Sequence, residues 1–311
     1  MEIIKGNLTF VLEHPTAVVL GNFDGIHKGH LELLRKAMEF AGQERLKSTF
    51  FTFEPHPSFV LAHKEQVDLI YTAQEKMKVV EELGMDYYVE FPFNEEVASM
   101  EAQVFVEKVL VEQVKARCIV VGADYRFGRR RMGDVHMLEE LSRKHGYTLV
   151  VMEKLADHER EISSTLLRQA IREGDIILAN ELMGRPYFVR GDVRTGMRIG
   201  RTIGIPTANL IPPREKLLPP YGVYHTEVTV DGVMYQGLTN IGTNPTVGGE
   251  GIKVETFLLD FEGDLYGKTL DLEFLEYLRP EVKFTGLAAM RTQIGKDIDY
   301  VIGKVRGSGH A

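Results

Sequence analysis

The chain has 311 residues, 26% of them charged and 44% hydrophobic, which is the composition of a soluble globular protein long enough for two domains with a core each. Its formal net charge of −8 argues against nonspecific binding to nucleic acid or anionic membranes, although the run Arg129–Arg130–Arg131 could hold a small anion. The single cysteine, Cys118, has no disulfide partner and sits in the apolar run CIVVG, as expected of a buried thiol in a reducing cytoplasm; no apolar run reaches the roughly 18 residues of a membrane span, and Met1 leads into mixed residues without a signal-peptide core.

Up to about residue 185, short β-rich runs alternate with helical ones. Strands are predicted at Ala17–Leu20, Ser48–Phe53, Tyr87–Phe91, Cys118–Val121 and Thr148–Met152, and helices near 30–42, 73–84, 101–115 and 135–145. This is the pattern of a Rossmann-like parallel sheet with helices on both faces. Ligands of such sheets gather at the carboxyl ends of the strands. The segments GNFDGIHKGH, FEPHP and GADYRFG all begin where a predicted strand ends, so they should converge on one crevice.

GNFDGIHKGH, residues 21–30, reads as strand, glycine turn and helix start. A helix start offers unpaired N–H groups and the positive end of the macrodipole, and Gly21, Gly25 and Gly29 let a phosphate come close to the backbone. His27 and His30 add side-chain donors where an attacked α-phosphate would gather charge. The alternative is a plain glycine turn with two surface histidines. In FEPHP, two prolines stiffen the loop that carries His56, which taken alone is more often structural. GADYRFGRRRMGD offers Asp124 to a ribose or flavin hydroxyl and Tyr125 or Phe127 to stack on a flat ring, or it is a loop with a solvated basic run. In ISSTLLRQAI, Ser163, Ser164 and Thr165 stand at a helix start with Arg168 four residues after Ser164 on the same face; this is a grip for leaving phosphates, or an ordinary cap with a solvated arginine.

After Pro186 strands and turns dominate until Leu287. GMRIGRTIGIPTANL is glycine-rich and basic but lacks the spacing of a Walker loop. Thr207 and Asn209 are two apart, so in an extended segment they leave on one face and could share a magnesium ion. YHTEVTVDGVMYQGL reads as a hairpin turning at Asp231–Gly232, and VETFLLDF and TLDLEFLEYL as a second pair flanking EGDLYG. Five or six such strands suggest a small antiparallel barrel, closed by an amphipathic helix from Gly286 to Ile302. Glu255 shares an alternating face with Phe257, Leu259 and Phe261, and a carboxylate in an apolar row is costly unless it is paired or used, for instance as a general base.

In their order and joint presence, GNFDGIHKGH, FEPHP, GADYRFGRRRMGD, ISSTLLR, GRTIGIPTANL, PPYGVY, TNIGTNPT, VETFLLDF, LYGKTL and LRPEVKF resemble the bacterial bifunctional riboflavin kinase/FAD synthetases over nearly the whole chain. The resemblance implies a nucleotidyltransferase domain at 1–184 that joins the AMP of ATP to FMN, giving FAD and pyrophosphate. It also implies a six-stranded barrel at 185–306 that moves the γ-phosphate of ATP to the riboflavin 5′-hydroxyl. It implies catalytic roles for His27, His30, Arg168 and Glu255, with phosphate contacts from Gly21, Asn22, Phe23, Gly29, Ser164, Thr165, Gly196, Gly200 and Arg201. Flavin contacts fall on His56, Asp124, Tyr125 and Phe127, and Mg²⁺, arriving with ATP, on Thr207 and Asn209. The implied partners are ATP, riboflavin and FMN, with neither nucleic acid nor membrane. Phe257 stands where many relatives have histidine, and Tyr125 replaces a commoner phenylalanine. Competing readings are a chain with one active half and a non-catalytic flavin or nucleotide sensor; retention of both histidines, Arg168 and Glu255 favours turnover.

Overall fold

Apolar strands without alternation must be covered on both faces, and those of the first half pair in parallel beneath helices. The computed structural model describes residues 1–61, 68–157, 160–194, 205–244 and 251–308. It divides into two compact units, Met1–Leu166 and Leu167–Ala311. The first holds the parallel strands β1 (Glu2–Lys5), β2 (Thr16–Leu20), β3 (Lys47–Glu54), β4 (Tyr87–Pro92), β5 (Ala116–Gly122) and β6 (Thr148–Met152) in the order β1-β4-β3-β2-β5-β6. All five expected strands are present. β1 is the addition, a short EIIK segment whose exposed residues leave no apolar run to announce it.

The chain winds outward from β2 through β3 and crosses back to β5, so the order reverses between β2 and β5. The loops after β2, β3 and β5 therefore share the carboxyl edge at a switch point, as the motifs required. Helix α1 (Lys28–Glu44) covers the sheet with Leu31, Leu34, Ala37 and Ala41. The short α2 (Pro57–Leu61) follows β3, and α3 (Ala73–Glu82) begins with a capping box between Thr72 and Glu75. Beyond β4 lie α4 (Glu95–Ser99) and α5 (Ala102–Val104). The helix expected over 101–115 is mostly a π-helix, Phe105–Gln113, which turns Phe105, Val106, Val109 and Leu110 into the core. Then come α6 (Val135–His145), the minimal pair β7 (Ala156–Asp157) and β8 (Arg160–Glu161), and α7 (Ser164–Glu173), inside which the two units divide.

In the second unit, α8 (Ile176–Met183) is tied to the barrel by Asn180, whose Nδ2 donates to the Phe274 carbonyl at 2.8 Å and whose Oδ1 accepts from the Tyr187 N–H at 2.7 Å. Strands β9 (Tyr187–Arg194), β10 (Ala208–Ile211), β11 (Gly222–Val230), β12 (Val233–Asn244), β13 (Gly251–Leu258) and β14 (Thr269–Arg279) close in the order β10-β13-β12-β11-β14-β9. The Asp231–Gly232 turn is as expected, both residues having positive φ (50° and 83°) as a type I′ turn demands. The second expected pair is corrected: β13 lies between β10 and β12, and β14 between β11 and β9. Residues 259–268, which join β13 to β14, are too many for a two-residue hairpin turn and leave the strands free to pair elsewhere.

Inside the barrel the hydroxyls of Thr226, Thr239 and Thr256 form a buried chain with steps of 2.8 and 2.9 Å. The closing helix α9 (Leu287–Ser308) packs Ile294, Ile298, Val301 and Ile302 against Val223, Leu238, Phe257 and Leu259 on the outer wall.

Candidate active sites

The loop after β2 is held from beneath. Phe23 has a left-handed φ of 49° and a fully buried ring that packs on Phe50 at 4.5 Å and edge-on to His30 at 5.1 Å. Gly25 has φ +67°, and a Cβ there would lie 2.5 Å from Ile70 Cγ2, so only glycine fits. The Asp24 carboxylate accepts from the N–H groups of Ile70 (2.8 Å) and Tyr71 (3.3 Å). His27 caps α1, its Nδ1 accepting from the His30 N–H at 3.3 Å. With Nδ1 an acceptor, the neutral ring carries its proton on Nε2.

The His27 and His30 rings stack at 3.7 Å with 14° between planes. Burial lowers the His27 pKa to about 4. His30 lies well below the usual histidine range because of burial, then the charge of His27, with Lys76 adding to the effect against a hydrogen bond to the Gly25 backbone. Both imidazoles are therefore neutral near pH 7. Beside the first-turn N–H groups of α1 they form a set of neutral dipoles suited to charge that grows on a phosphate. The Nδ1 of His30 is buried without a partner.

Around this loop, several expected site residues already have structural partners. Ser163 Oγ accepts from the Leu166 N–H at 3.3 Å, and Ser164 Oγ donates to the Asp24 carbonyl at 2.7 Å, tying the start of α7 to the β2–α1 loop. Thr165 is exposed, and Arg168 stands one turn on. His56 Nδ1 accepts from the Ser58 N–H at 3.3 Å. Asp124 is exposed and paired with Lys154 at 3.0 Å. Phe127 is buried against Phe105 at 5.9 Å and stacks on Tyr125 at 5.6 Å, so its ring serves the core. Burial raises the Tyr125 phenol, whose hydroxyl is enclosed without a partner. Of the basic run, Arg129 is paired with Glu101, and Arg130 and Arg131 are exposed with left-handed φ.

In the second unit, strand register assembles the polar groups. Asn209 on β10 pairs with Glu255 on β13, and Glu255 pairs with Asn240 on β12, so the three residues form a row across three strands. Val254, Thr256 and Leu258 are buried inside, leaving Glu255 and Phe257 on the outer face. Glu255 is not alone among apolar neighbours: Lys253, on the same face, holds its carboxylate at 2.7 Å. The apolar row also ends sooner than its alternation suggests, because Phe261 lies beyond β13 against Tyr235 at 5.1 Å. A cavity of about 170 Å³ between this wall and α9 is lined by Thr207, Asn240, Glu255 and Glu281 among apolar side chains that include Phe257 and Met290.

The roof of the cavity is pinned by Arg279 at the end of β14. Its Nη2 and Nε reach Asp297 Oδ2 at 2.8 and 3.0 Å, and Gln293 holds the other carboxylate oxygen at 2.9 Å. Asn240 Nδ2 donates to Glu281 Oε1 at 3.0 Å. Lys253, Asn240, Arg279, Glu281 and Asp297 were not singled out by sequence. Asn240, Arg279 and Glu281 lie in the motif segments TNIGTNPT and LRPEVKF, but only the barrel register brings them to Glu255. Gly196, Gly200 and Arg201 fall outside the described residues. Among the described residues no group of three or more His, Cys, Asp and Glu could hold a metal unaided. The side-chain oxygens of Thr207 and Asn209 are donors of the kind Mg²⁺ takes, and the two alone would not complete its shell.

A parallel α/β unit with a histidine-capped helix start at its switch point, and a six-stranded barrel with a carboxylate beside a cavity, suit a transferase of two parts. Family models fall on the two parts separately: FAD synthetase on residues 11–166 and riboflavin kinase on residues 183–303. The bifunctional riboflavin kinase/FMN adenylyltransferase of Bacillus subtilis (strain 168) is 37% identical over 91% of this chain and 90% of its own length. That of Escherichia coli (strain K12) is 34% identical over 96% of each. A crystal structure from Streptococcus pneumoniae, described as a macrolide-efflux protein, matches with a TM-score of 0.85 and 31% identity over 96% of this chain and 97% of that one. The chain belongs to the bacterial bifunctional riboflavin kinase/FMN adenylyltransferase family.

Proposed function

We propose that residues 185–306 phosphorylate riboflavin to FMN and residues 1–184 adenylylate FMN to FAD, dividing the two activities of this bifunctional enzyme. The observation that carries the reading is the pair of family models lying in series on one chain, with relatives matched over nearly its full length. Riboflavin and ATP give FMN and ADP in the first reaction, and FMN and ATP give FAD and pyrophosphate in the second.

In the barrel, Glu255 takes the proton of the riboflavin 5′-hydroxyl as that oxygen bonds to the γ-phosphorus and the bond to the β-phosphate oxygen breaks. Lys253 fixes the carboxylate that does so. Thr207 and Asn209 would hold Mg²⁺, which neutralises phosphate charge, and Gly196, Gly200 and Arg201 would contact the nucleotide. The Arg279–Asp297 pair holds α9 over the cavity.

In the sheet domain, an FMN phosphate oxygen attacks the α-phosphorus of ATP, and pyrophosphate leaves with the electron pair of the broken bond. That oxygen is already ionised, so no base is required. His27, through Nε2–H, meets the charge on the α-phosphate, with His30 stacked on its ring to hold it in place and the backbone of Gly21, Asn22, Phe23 and Gly29 close by. Ser164, Thr165 and Arg168 grip the departing phosphates, and His56, Asp124 and Tyr125 border the flavin, with Phe127 in the core behind Tyr125. The cytoplasm supplies the ATP and keeps Cys118 reduced. Among the described residues no helix is long and apolar enough to cross a membrane.

The test incubates the full chain with riboflavin, ATP and Mg²⁺ and separates the flavins. FMN should appear first and FAD after it. FMN without FAD, even from supplied FMN, would leave one active half, and neither product would point to a sensor. To assign the activities, a fragment from Leu167, which keeps α8 on the barrel, should make FMN only.

A further inference from the structure

One charged side chain beneath the anion seat has no part in the chemistry so far. Lys76 lies one turn into α3 and is 3% exposed. Its Nζ donates to the Asn22 carbonyl at 3.0 Å and contacts Thr52 Oγ1 at 3.3 Å, and Thr52 Oγ1 itself donates to the same carbonyl at 3.2 Å. Two donors from two elements, α3 and β3, thus draw one loop carbonyl toward the interior.

A trans peptide is planar, with its C=O and N–H on opposite sides. Holding the Asn22 carbonyl inward therefore turns the Phe23 N–H outward, in the loop whose open side faces the crevice. The left-handed φ of Phe23 is the conformational cost of that orientation. Released, the carbonyl could turn toward the seat and set an oxygen dipole against a phosphate.

A buried ammonium is expensive, and burial lowers the pKa of Lys76 against the opposing pull of Asp24, Glu54 and Glu90. An apolar residue would fill the space at less cost, so the charge itself calls for a role. Its field also reaches His30 and adds to the effects that keep that ring neutral.

We propose that Lys76 is a positioning residue for adenylyl transfer: through the Asn22 carbonyl it fixes the β2–α1 loop so that the Phe23 N–H joins the donors facing the α-phosphate. This rests on the assignment of FAD synthesis to the first domain. The contribution is made where charge develops, so it should appear in kcat more than in KM.

The full chain is prepared with Lys76→Met, Lys76→Arg and Thr52→Val and given FMN, ATP and Mg²⁺, with riboflavin phosphorylation by the same samples as the internal control. Lys76→Met should lower kcat for FAD formation by about 10²-fold, as expected when a reacting group shifts by about an ångström, with KM for FMN changed less than about twofold. Thr52→Val should act in the same direction but more weakly, and Lys76→Arg should recover part of the loss. The NMR titration of the His30 ring should move up in Lys76→Met and hold in Lys76→Arg. Parent-level kcat in Lys76→Met, a loss confined to KM, or an unmoved His30 titration overturns the proposal. If Lys76→Met does not fold, Thr52→Val decides by the split between kcat and KM, a parent-level kcat or a loss confined to KM overturning the proposal. A parent that makes no FAD overturns the domain assignment instead, and the histidine titration still judges Lys76.

Discussion

The two candidate sites are built in opposite ways. In the sheet domain the functional groups are also structural ones: His27 caps α1, Ser164 ties α7 to the loop, and His30 packs edge-on to the buried Phe23. In the barrel, Glu255 stands on the outer face, while the interior is closed independently by Tyr224, Phe274 and the three-threonine chain. Where a site shares its side chains with the scaffold, activity and stability fall together. Where strand register presents the site on a finished wall, they separate.

The largest expected effect tests the separable case. Glu255→Gln keeps size and hydrogen-bonding shape but cannot accept the proton, so riboflavin phosphorylation should fall by about 10²–10⁴. FAD formation from supplied FMN and the unfolding temperature should stay at parent values. A kinase at full turnover with saturating ATP and riboflavin would make Glu255 a structural acid. His30→Ala tests the coupled case. FAD formation should fall by about 10²–10³ while FMN formation continues, and amide exchange in α1 should quicken because the stack on His27 and the contact with Phe23 are lost. Loss of rate with unchanged exchange would break the contrast between the two sites.

A pH scan sharpens it further. The folded-state pKa of His27 is lowered to about 4 from an ordinary 6.5, so the unfolded chain binds the proton more readily across that interval. The stability tied to the neutral ring is fully present above pH 6.5 and is lost as pH falls toward 4, by about 3 kcal/mol in all. His30, shifted in the same direction, adds to it. Exchange in α1 should accelerate through this window before exchange in the barrel strands does. His27→Asn, which keeps a capping acceptor without a titrating ring, should flatten the slope. Equal acid sensitivity of α1 and the barrel would show that the histidine pair is not its source.

The parallel sheet and the barrel were legible because periodicity reports which faces are covered, and the tight Asp231–Gly232 turn announced its own hairpin. The pairing of β13 and β14 was not legible, since a ten-residue connection carries no register signal and closure of the barrel decides it. Within the sites, His27, His30 and Glu255 could be named from residue type and local pattern. Lys253, Asn240 and Lys76 could not: the first two meet Glu255 only through strand geometry, and a lysine inside the amphipathic run of α3 looks solvated until Thr52 and Asn22 close over it.

The smallest expected effect comes from comparing two sets of buried hydroxyls. In the barrel, Thr239 bridges Thr226 and Thr256, so Thr239→Val keeps the volume but takes a partner from both neighbours and should cost about 1–2 kcal/mol of barrel stability. In the sheet domain, the Tyr125 hydroxyl is enclosed with no partner, and an unsatisfied buried group already costs free energy. Tyr125→Phe removes that cost with little change in packing, so the domain should hold its stability or gain up to about 1 kcal/mol, read as slower amide exchange in β5. A clear loss would mean that the hydroxyl finds a partner in solution. Loss in the barrel with none in the sheet domain would show that satisfaction of a hydroxyl, rather than its burial, sets its worth.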